Sequence, residues 1–272
     1  MKITFLGTAA AEGIPFPFCD CETCRHARIH KGRNVRKRQS VLINGDLLID
    51  IGPDLYASCA DLGLSLTGLR YLLVTHSHKD HFAGFNLELR ARMYRLTTEL
   101  PELTMVAGPS VLTMWGTSGV SDKSAELKRV PFLPGDSAAL PPYSIRSVKA
   151  SHIFAIGDAM NYIIDDGRTK LLYASDTGMY GEEAWEQIAG NRFDAVIMEA
   201  TLGNRQQGKS HLSFADFRLM LDKMREIGAI TDKTRLFATH FSHQCVEPHE
   251  ELEAFFGGIG VVCAYDGLQA DV

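Results

Sequence analysis

The stretch THSHKDH, at residues 75–81, carries the side chains with the clearest chemical potential in the chain. Three histidines and one aspartate fall within six positions, directly after the apolar run YLLV. Imidazole and carboxylate groups together suit zinc, manganese or iron about equally well. The stretch therefore predicts one part of a metal site, and the remaining ligands must come from elsewhere in the chain.

Three further apolar runs end in candidate ligands of the same kinds. His152 follows YSIRSV, Asp176 follows KLLYA, and His240 follows RLFAT. The carboxyl ends of strands are where α/β proteins usually build their sites. Together with the first stretch they make seven ligands, enough for two ions that share one carboxylate. The expected assignment is His76, His78 and His152 at the first ion, Asp80, His81 and His240 at the second, and Asp176 between them.

A second cluster contains thiols. Of the six cysteines, Cys19, Cys21 and Cys24 form a C-x-C-x-x-C pattern, and the other three stand alone. Six cysteines are too few for a disulfide scaffold in a chain of 272 residues, so the cluster favours a metal. Three thiolates fill three positions of tetrahedral zinc, and the fourth ligand must come from another segment.

Composition limits the class of protein. A hydrophobic content of 45% and a charged content of 22% are ordinary for a soluble globular protein with a sizeable core. The net charge of −5 gives no overall bias toward nucleic acid or an anionic membrane. No apolar run approaches the roughly 18 residues of a membrane span, and ITFL is too short for the core of a secretion signal. We therefore expect a cytoplasmic protein without a membrane partner.

The elements that must position these residues are short strands separated by helices. Hairpins are predicted at Asn44-Gly45-Asp46 and at Asp166-Gly167. Helices are predicted over 82–95, 182–189 and 213–227, the last with Ser213 as its N-cap. Hairpins in both halves favour two packed sheets with helices outside, as one domain over 1–272 in a four-layer αββα arrangement of the α/β (α+β) class. The predicted strands are 2–6, 40–44, 47–51, 71–75, 103–107, 143–148, 161–165, 170–175, 195–199 and 235–239.

HSHKDH and its downstream partners resemble the metallo-β-lactamase superfamily, which implies the αββα sandwich. The resemblance implies that Asp50, in LLIDIGPD, orients a ligand histidine. The bridging position is Asp176 here, where true β-lactamases of this fold use cysteine at the second metal, which argues against β-lactam hydrolysis. His78 stands where the diiron oxygen-reducing branch typically has glutamate, which argues against redox chemistry.

The opening segment FLGTAAAEGIPFPFCDCETC, at residues 5–24, is similar to the PhnP family. Members of that family are phosphodiesterases that open phosphoribosyl cyclic phosphate. The resemblance runs from Phe5 to residue 269 and implies a structural zinc completed by a histidine of THFSHQ. The implied ligands of this zinc are Cys19, Cys21, Cys24 and His243.

A second resemblance competes with the first. EATLGNRQQGKSHLS, at 199–213, is similar to segments of tRNase Z, in which a glutamate and a histidine pair near the scissile phosphate. The matching residues here are Glu199 and His211. The PhnP family keeps the histidine but has an Asp-Cys-Ser-His type of run at the upstream position. tRNase Z lacks the cysteine cluster, however, and this chain shows no obvious long arm for gripping tRNA.

The basic run RHARIHKGRNVRKR, at 25–38, contains seven Lys or Arg residues and no acid. Such a run is usually a solvated surface, and the functional alternative is a rim that attracts phosphate. It is short for a surface that grips tRNA. We therefore expect a small phosphodiester as the substrate, and we leave nucleic acid open as the less favoured alternative.

The sequence thus predicts a hydrolase of a small phosphodiester, such as phosphoribosyl cyclic phosphate or a cyclic nucleotide. A hydroxide between two divalent ions (Zn, Mn or Fe) would attack phosphorus. His211 would contact the phosphoryl group or protonate the leaving oxygen, with Glu199 orienting it and Asp80 counted among the catalytic residues. The alternatives are a tRNase Z-like endonuclease, a lactone or thioester hydrolase, and a binding protein like the cofactor-biosynthesis branch. A homodimer is left open.

Overall fold

The structure, a computed structural model, describes residues 1–205 and 208–272. Gln206 and Gln207, within the segment 199–213, lie outside the described residues. The chain forms two seven-stranded sheets. The strands of the first sheet, in spatial order, are β14 (Gln269–Asp271), β1 (Lys2–Gly7), β2 (Ser40–Ile43), β3 (Leu47–Ile49), β4 (Tyr71–Leu73), β5 (Leu103–Ala107) and β6 (Leu127–Pro131).

The second sheet mirrors this order with strands from the other half of the chain. Its strands, in spatial order, are β13 (Val261–Cys263), β12 (Arg235–Thr239), β11 (Ala195–Glu199), β10 (Lys170–Ala174), β9 (Met160–Asp165), β8 (Tyr143–Lys149) and β7 (Ser137–Leu140).

Each sheet is half antiparallel and half parallel. In the first sheet β14, β1, β2 and β3 pair antiparallel, and β3 to β6 pair parallel. In the second, β7 to β10 pair antiparallel, and β10 to β13 pair parallel. The parallel halves bring the carboxyl ends of β4, β10 and β12 to one end of their sheets. β8 runs in the same direction as β10, because both pair antiparallel with β9, so its carboxyl end lies at that end as well. The candidate ligands follow these four strands.

Both predicted hairpins are confirmed. Asn44 and Gly45 have φ angles of 50° and 81°, as a two-residue turn with left-handed central residues requires. At the second hairpin, Asp166 Oδ1 accepts hydrogen bonds from the backbone N–H groups of Arg168 and Thr169. Turn chemistry therefore fixes the pairing of β2 with β3 and of β9 with β10.

Helices cover the outer face of each sheet, so the predicted four-layer αββα sandwich is confirmed. Three apolar clusters fill the spaces between the layers, one between the sheets and one beneath the helices on each outer face. That the chain folds as one independent domain stays a prediction. The helices are α1 (Glu22–His30), α2 (Leu55–Leu62), α3 (Phe85–Glu88), α4 (Pro109–Gly116), α5 (Asp122–Ala125), α6 (Glu182–Ile188), α7 (Phe214–Glu226) and α8 (His249–Gly257).

Helix α7 forms for the reasons that the sequence supplies. Ser213 caps it, and the side chains of Ser213 and Asp216 form a reciprocal capping box. Phe217, Met220 and Leu221 are buried on one face beneath the second sheet. Within the described part of the chain, no helix is long and apolar enough to cross a membrane.

The predicted helix over 82–95 is wrong. The structure has only the four-residue α3 and a single 3-10 turn over Arg92–Tyr94 in this region. Leu89 and Met93 lie at helical spacing but are exposed, so they offer no buried face that would stabilise a longer helix. Arg90 instead ties the segment to neighbouring loops by donating to the carbonyl oxygens of Pro101 and Ala125.

Candidate metal centre

The candidate ligands lie on loops that leave strand ends of both sheets. β4 leads into THSHKDH, β8 leads to His152, β10 leads to Asp176, and β12 leads to His240. Asp176 and His240 have φ angles of 45° and 59°, and Asp50, after β3, has a φ of 62°. Residues other than glycine rarely adopt this conformation, which costs on the order of 1–3 kcal/mol each, and such strain clusters at functional sites.

The first predicted ligand group is assembled in the structure. The ligand atoms of His76, His78, His152 and Asp176 all lie within 4.8 Å of one another. Nδ1 of His78 is 3.0 Å from Nε2 of His76 and 3.2 Å from Nε2 of His152. Oδ2 of Asp176 is 3.6 Å from each of these two Nε2 atoms. His78 is the exposed member, so the group opens to solvent on its side.

The second group lies on the other side of the same aspartate. Nε2 of His81 is 3.2 Å from Oδ2 of Asp80 and 3.2 Å from Oδ1 of Asp176. Nε2 of His240 is 2.8 Å from Oδ1 of Asp176. Asp176 therefore turns one oxygen toward each group, as a carboxylate shared by two ions would.

The donor set fits two cations. The Nε2 atoms of His81 and His240 are buried and lie within 3.2 Å of carboxylate oxygens, but among the residues that the structure describes they form no hydrogen bond of normal geometry. Buried polar atoms in native proteins nearly always have a partner, and a cation coordinated here would supply one to both nitrogens. The structure thus brings together all seven residues that the sequence singled out, and their role as ligands stays a prediction.

Two buried threonines, which the sequence analysis missed, connect the ligand histidines to buried carboxylates. Asp50 accepts from Nδ1 of His81 at 2.8 Å and from the hydroxyl of Thr75 at 2.9 Å. Oγ1 of Thr75 lies 2.9 Å from Nδ1 of His76 and accepts from it. Both histidines therefore keep Nε2 free for an ion, and Asp50 holds one histidine of each group.

The second sheet repeats this arrangement. Glu199, which is fully buried, accepts from Nδ1 of His211 at 2.8 Å and from the hydroxyl of Thr201. Oγ1 of Thr201 lies 2.8 Å from Nδ1 of His240. Backbone N–H groups of Thr177, Thr201 and Leu212 also donate to Glu199, at 2.7, 3.2 and 3.2 Å. One sign of this role was visible in the sequence for each threonine. Thr75 directly precedes a predicted ligand in THSH, and Thr201 lies two residues after Glu199 in EAT.

Burial and neighbouring charges shift the pKa values of three histidines around the centre. Burial lowers the pKa of His76 well below its ordinary value, with the nearby His81 adding to the effect. Burial alone would also lower the pKa of His81, but the carboxylates of Asp176, Asp80 and Asp50 raise it well above its usual range. Burial alone would lower the pKa of His211 as well, and the carboxylate of Glu199 raises it to about 9.

The cysteine cluster forms a separate site. The ligand atoms of Cys19, Cys21, Cys24 and His243 lie within 4.8 Å of one another, and Sγ of Cys21 is 3.5 Å from Nδ1 of His243. Burial would raise the pKa of Cys21, but hydrogen bonds from His243 and Cys24 lower it to about 7. Three thiols and one imidazole are the donor set of a structural zinc, so the site fits the implied ion.

The basic run at 25–38 is used mainly within the protein. Arg36 is buried and donates to the carbonyl oxygen of Ala264, and Lys37 lies 2.7 Å from the carboxylate of Asp61. Further ion pairs of the run join Arg28 to Asp20, Arg33 to Glu253 and Arg38 to Asp54. The run therefore does not form one continuous cationic rim.

Comparisons with known proteins agree with this fold. The family described as "Beta-lactamase superfamily domain" matches residues 46–241. A coenzyme PQQ synthesis protein B from Methylobacterium radiotolerans is 29% identical over 221 residues, which cover 74% of this chain and 73% of that protein.

Solved structures extend the similarity to almost the whole chain. A diphosphatase from the PhnP family is 20% identical with a TM-score of 0.76, covering 99% of this chain and 96% of that one. Zn²⁺-bound PqqB from Methylobacterium extorquens is 21% identical with a TM-score of 0.77, covering 100% of both chains. The short form of human tRNase Z is 18% identical with a TM-score of 0.67, covering 100% of this chain and 99% of that one. At these identities, the similarity shows the fold alone.

Proposed function

Because the chain belongs to the β-lactamase superfamily domain family, whose fold places two ligand groups around one aspartate here, we propose that it is a metal-dependent hydrolase of a small phosphodiester. The favoured substrates are cyclic ribose phosphates and cyclic nucleotides. One observation carries the proposal: the pair of Glu199 and His211 lies directly beside both ligand groups. The ring of His211 is 4.8 Å from that of His152 and 5.8 Å from that of His240.

The residues at the centre would hold two divalent ions, and the cysteine cluster would hold one zinc. When bound, the paired ions lower the pKa of water and neutralise charge on phosphoryl oxygens. The ligand set suits zinc, manganese or iron. The chain's own contribution is to hold seven ligands in place and to set His211 at the mouth of the centre.

His211 would transfer a proton to the leaving oxygen. Its Nδ1 donates to Glu199, so Nε2 is the atom left to face a substrate. The side chain keeps 25% of its surface exposed, whereas Glu199 is completely buried. A buried carboxylate that orients a partly exposed imidazole is the arrangement expected of a general acid or base.

A second candidate function rests on the similarity to coenzyme PQQ synthesis protein B, at 29% identity. On this alternative the chain serves the synthesis of a cofactor, and the same metal centre acts on a substrate that is not a phosphodiester. A relative of that degree supports a shared fold more strongly than a shared substrate. Glu199 and His211 favour the phosphodiester because a scissile phosphate benefits from both the two cations and a proton donor.

The test uses metal-loaded protein with bis(p-nitrophenyl) phosphate, adenosine 2′,3′-cyclic phosphate and a tRNA precursor. We expect both small diesters to be hydrolysed and the cyclic phosphate to be preferred over the tRNA precursor. His211→Ala should keep its full metal content and lose ~10²-fold or more in turnover. His30→Ala, on the surface of α1, is the matched control and should keep the wild-type rate. No turnover of any diester would favour the cofactor-synthesis alternative, and faster cleavage of the tRNA precursor would favour the endonuclease.

A further inference from the structure

The loop at residues 208–211 carries His211 and also contacts a ligand of the first group. Nδ1 of His152 donates to the carbonyl oxygen of Ser210 at 2.9 Å. This bond leaves Nε2 of His152 to face an ion, and a carbonyl acceptor in such a position fixes the ring orientation of a ligand histidine. Ser210 directly precedes His211, so the predicted ligand and the predicted proton donor are joined through one stretch of backbone.

A glycine makes this close approach possible. A Cβ at Gly178 would lie 2.2 Å from the carbonyl oxygen of Lys209 and 3.3 Å from the backbone nitrogen of Ser210. Nonbonded heavy atoms are in favourable contact only at roughly 3.5 Å, so a side chain at Gly178 would displace the loop by about 1 Å. The φ angle of Gly178 lies outside the left-handed region. The absence of a side chain, rather than an unusual backbone, is therefore what this position requires.

Hydrogen bonds hold Gly178 from its own side. Its backbone N–H donates to the carbonyl oxygen of Ser151 at 3.1 Å. The N–H of Ser151 donates to Oγ1 of Thr177 at 2.9 Å, and the N–H of Thr177 donates to Oε1 of Glu199 at 2.7 Å. Segments 151–152 and 176–178 therefore form one hydrogen-bonded unit that carries two predicted ligands. A Cβ at Gly178 would move the opposite loop rather than this unit.

We propose that Gly178 is a positioning residue, which sets the loop at 208–211 against His152 and couples the first ion to the proton donor. An ion at Nε2 of His152 fixes the bond from Nδ1 to Ser210, and that bond holds His211 at the centre. The coupling is reciprocal, so a displaced loop leaves His152 without its acceptor and weakens the binding of the ion. The catalytic consequence rests on the proposed function of His211, whereas the contact between Gly178 and the loop does not.

The expected effects follow from these contacts. Partners of ligand histidines typically change metal affinity by about 10–100-fold when they are lost, so Gly178→Ala should weaken the first ion by such a factor. A displacement of about 1 Å at a catalytic group can cost on the order of 10²-fold in turnover, which is the loss expected with both ions bound. The second ion should keep its affinity, because its histidines bond to Asp50 and Thr201 instead.

The test compares Gly178→Ala with Gly181→Ala, a matched control at which a Cβ would meet no atom within 4 Å. Dialysis against graded chelator, followed by metal analysis, measures the affinities of the ions. Amide hydrogen exchange at Leu212, followed by NMR, reports on the loop, because this N–H donates to Glu199 at 3.2 Å. We expect Gly178→Ala to lose affinity for one of the paired ions and to exchange the Leu212 amide about tenfold faster. Gly181→Ala should match the wild type in both measurements.

A measurement on the wild type decides the question alone if Gly178→Ala does not fold. Exchange at Leu212 is followed through the same chelator series. We expect it to become about tenfold faster once the paired ions have left, because His152 then releases Ser210. The N–H of Asp194, which is hydrogen-bonded at the opposite end of β11, should change far less.

Wild-type ion affinities and Leu212 exchange in a folded Gly178→Ala protein would overturn the coupling, and so would exchange in the wild type that does not respond to the paired ions. Turnover of bis(p-nitrophenyl) phosphate tests the proposed function separately. A wild type that shows the coupling but hydrolyses no diester retains the positioning role and loses the proposed function. A Gly178→Ala protein that hydrolyses the diester at the wild-type rate retains the proposed function and loses the positioning role.

Discussion

Replacing Thr201 by valine should weaken the binding of one of the two predicted ions and leave the binding of the other unchanged. The Thr201 hydroxyl accepts from Nδ1 of His240 at 2.8 Å and donates to Glu199. Valine has the same shape without the hydroxyl, so His240 would lose its partner inside a buried site. Glu199 would keep its bonds from His211 and the backbone. The loss should therefore concern the orientation of His240, a predicted ligand of the second ion only.

The magnitude follows from the contacts. A hydrogen bond to a charged group contributes roughly 1.5–3 kcal/mol, and the partners of ligand histidines typically change metal affinity by about 10–100-fold when removed. A factor of 10–100 corresponds to about 1.4–2.8 kcal/mol, so the two estimates agree. We expect Thr201→Val to lower the affinity for the second ion by that factor. Thr201→Ser, which keeps the hydroxyl, should bind both ions nearly as the wild type does.

Thr75 offers the matched change on the first sheet. It accepts from Nδ1 of His76, a predicted ligand of the first ion, and donates to Asp50. Thr75→Val should therefore weaken the first ion. The assay is dialysis of each variant against graded chelator, followed by metal analysis by mass spectrometry. If the two threonines serve different ions, the double variant loses both, with effects that add. A double variant that retains one tight ion, or a Thr201→Val protein that keeps both at wild-type affinity, would refute the reasoning.

Two further predictions concern sites away from catalysis. Cys21→Ser should remove one zinc per chain and lower the melting temperature, because zinc binding at such clusters contributes to folding. Cys59→Ser is the control and should change neither the zinc content nor the melting temperature. Unchanged zinc content in Cys21→Ser would contradict the prediction. Burial lowers the pKa of His249 from 6.5 to about 4, and the positive charge of Arg36 adds to the effect. Between these two pH values the unfolded chain binds a proton at this histidine and the native protein does not. The free energy of unfolding should therefore fall by up to ~3 kcal/mol as the pH drops from 6.5 toward 4. Urea unfolding measured across this range should show a weaker pH dependence for His249→Asn than for the wild type. An equally steep dependence in the variant would count against the role of His249.

The central strands could be predicted from sequence because their environment is uniform. The runs 103–107, 195–199 and 235–239 are apolar on both faces, and the structure has β5, β11 and β12 at these bounds. β6, β7, β13 and β14 were missed. They lie at sheet edges, where some side chains meet solvent and the pattern weakens. Pairing with a neighbour, rather than local preference, decides whether such segments become strands.

The ligand residues were predictable for a different reason than the threonines. Histidines and an aspartate that follow apolar runs carry their chemistry in their residue type, so spacing alone brought seven of them into view. A threonine has no such mark, because its role depends on which buried groups it meets. Thr201 gains its function only where β11 lies beside β12, which places Glu199 and His240 on either side of its hydroxyl. That contact spans 39 residues of sequence and exists only in the folded protein.

The buried carboxylates of Asp50 and Glu199 orient different sets of histidines at the centre. Asp50, on the first sheet, holds one histidine from each ligand group, and so it affects only how the ions are held. Glu199, on the second sheet, holds His240 through Thr201 and His211 directly, so one carboxylate orients both a predicted ligand and the predicted proton donor. A change at Glu199 would therefore disturb metal binding and turnover together. The changes at Thr201 and His211 separate the two, because each removes one branch of the same hydrogen-bond network and leaves the other in place.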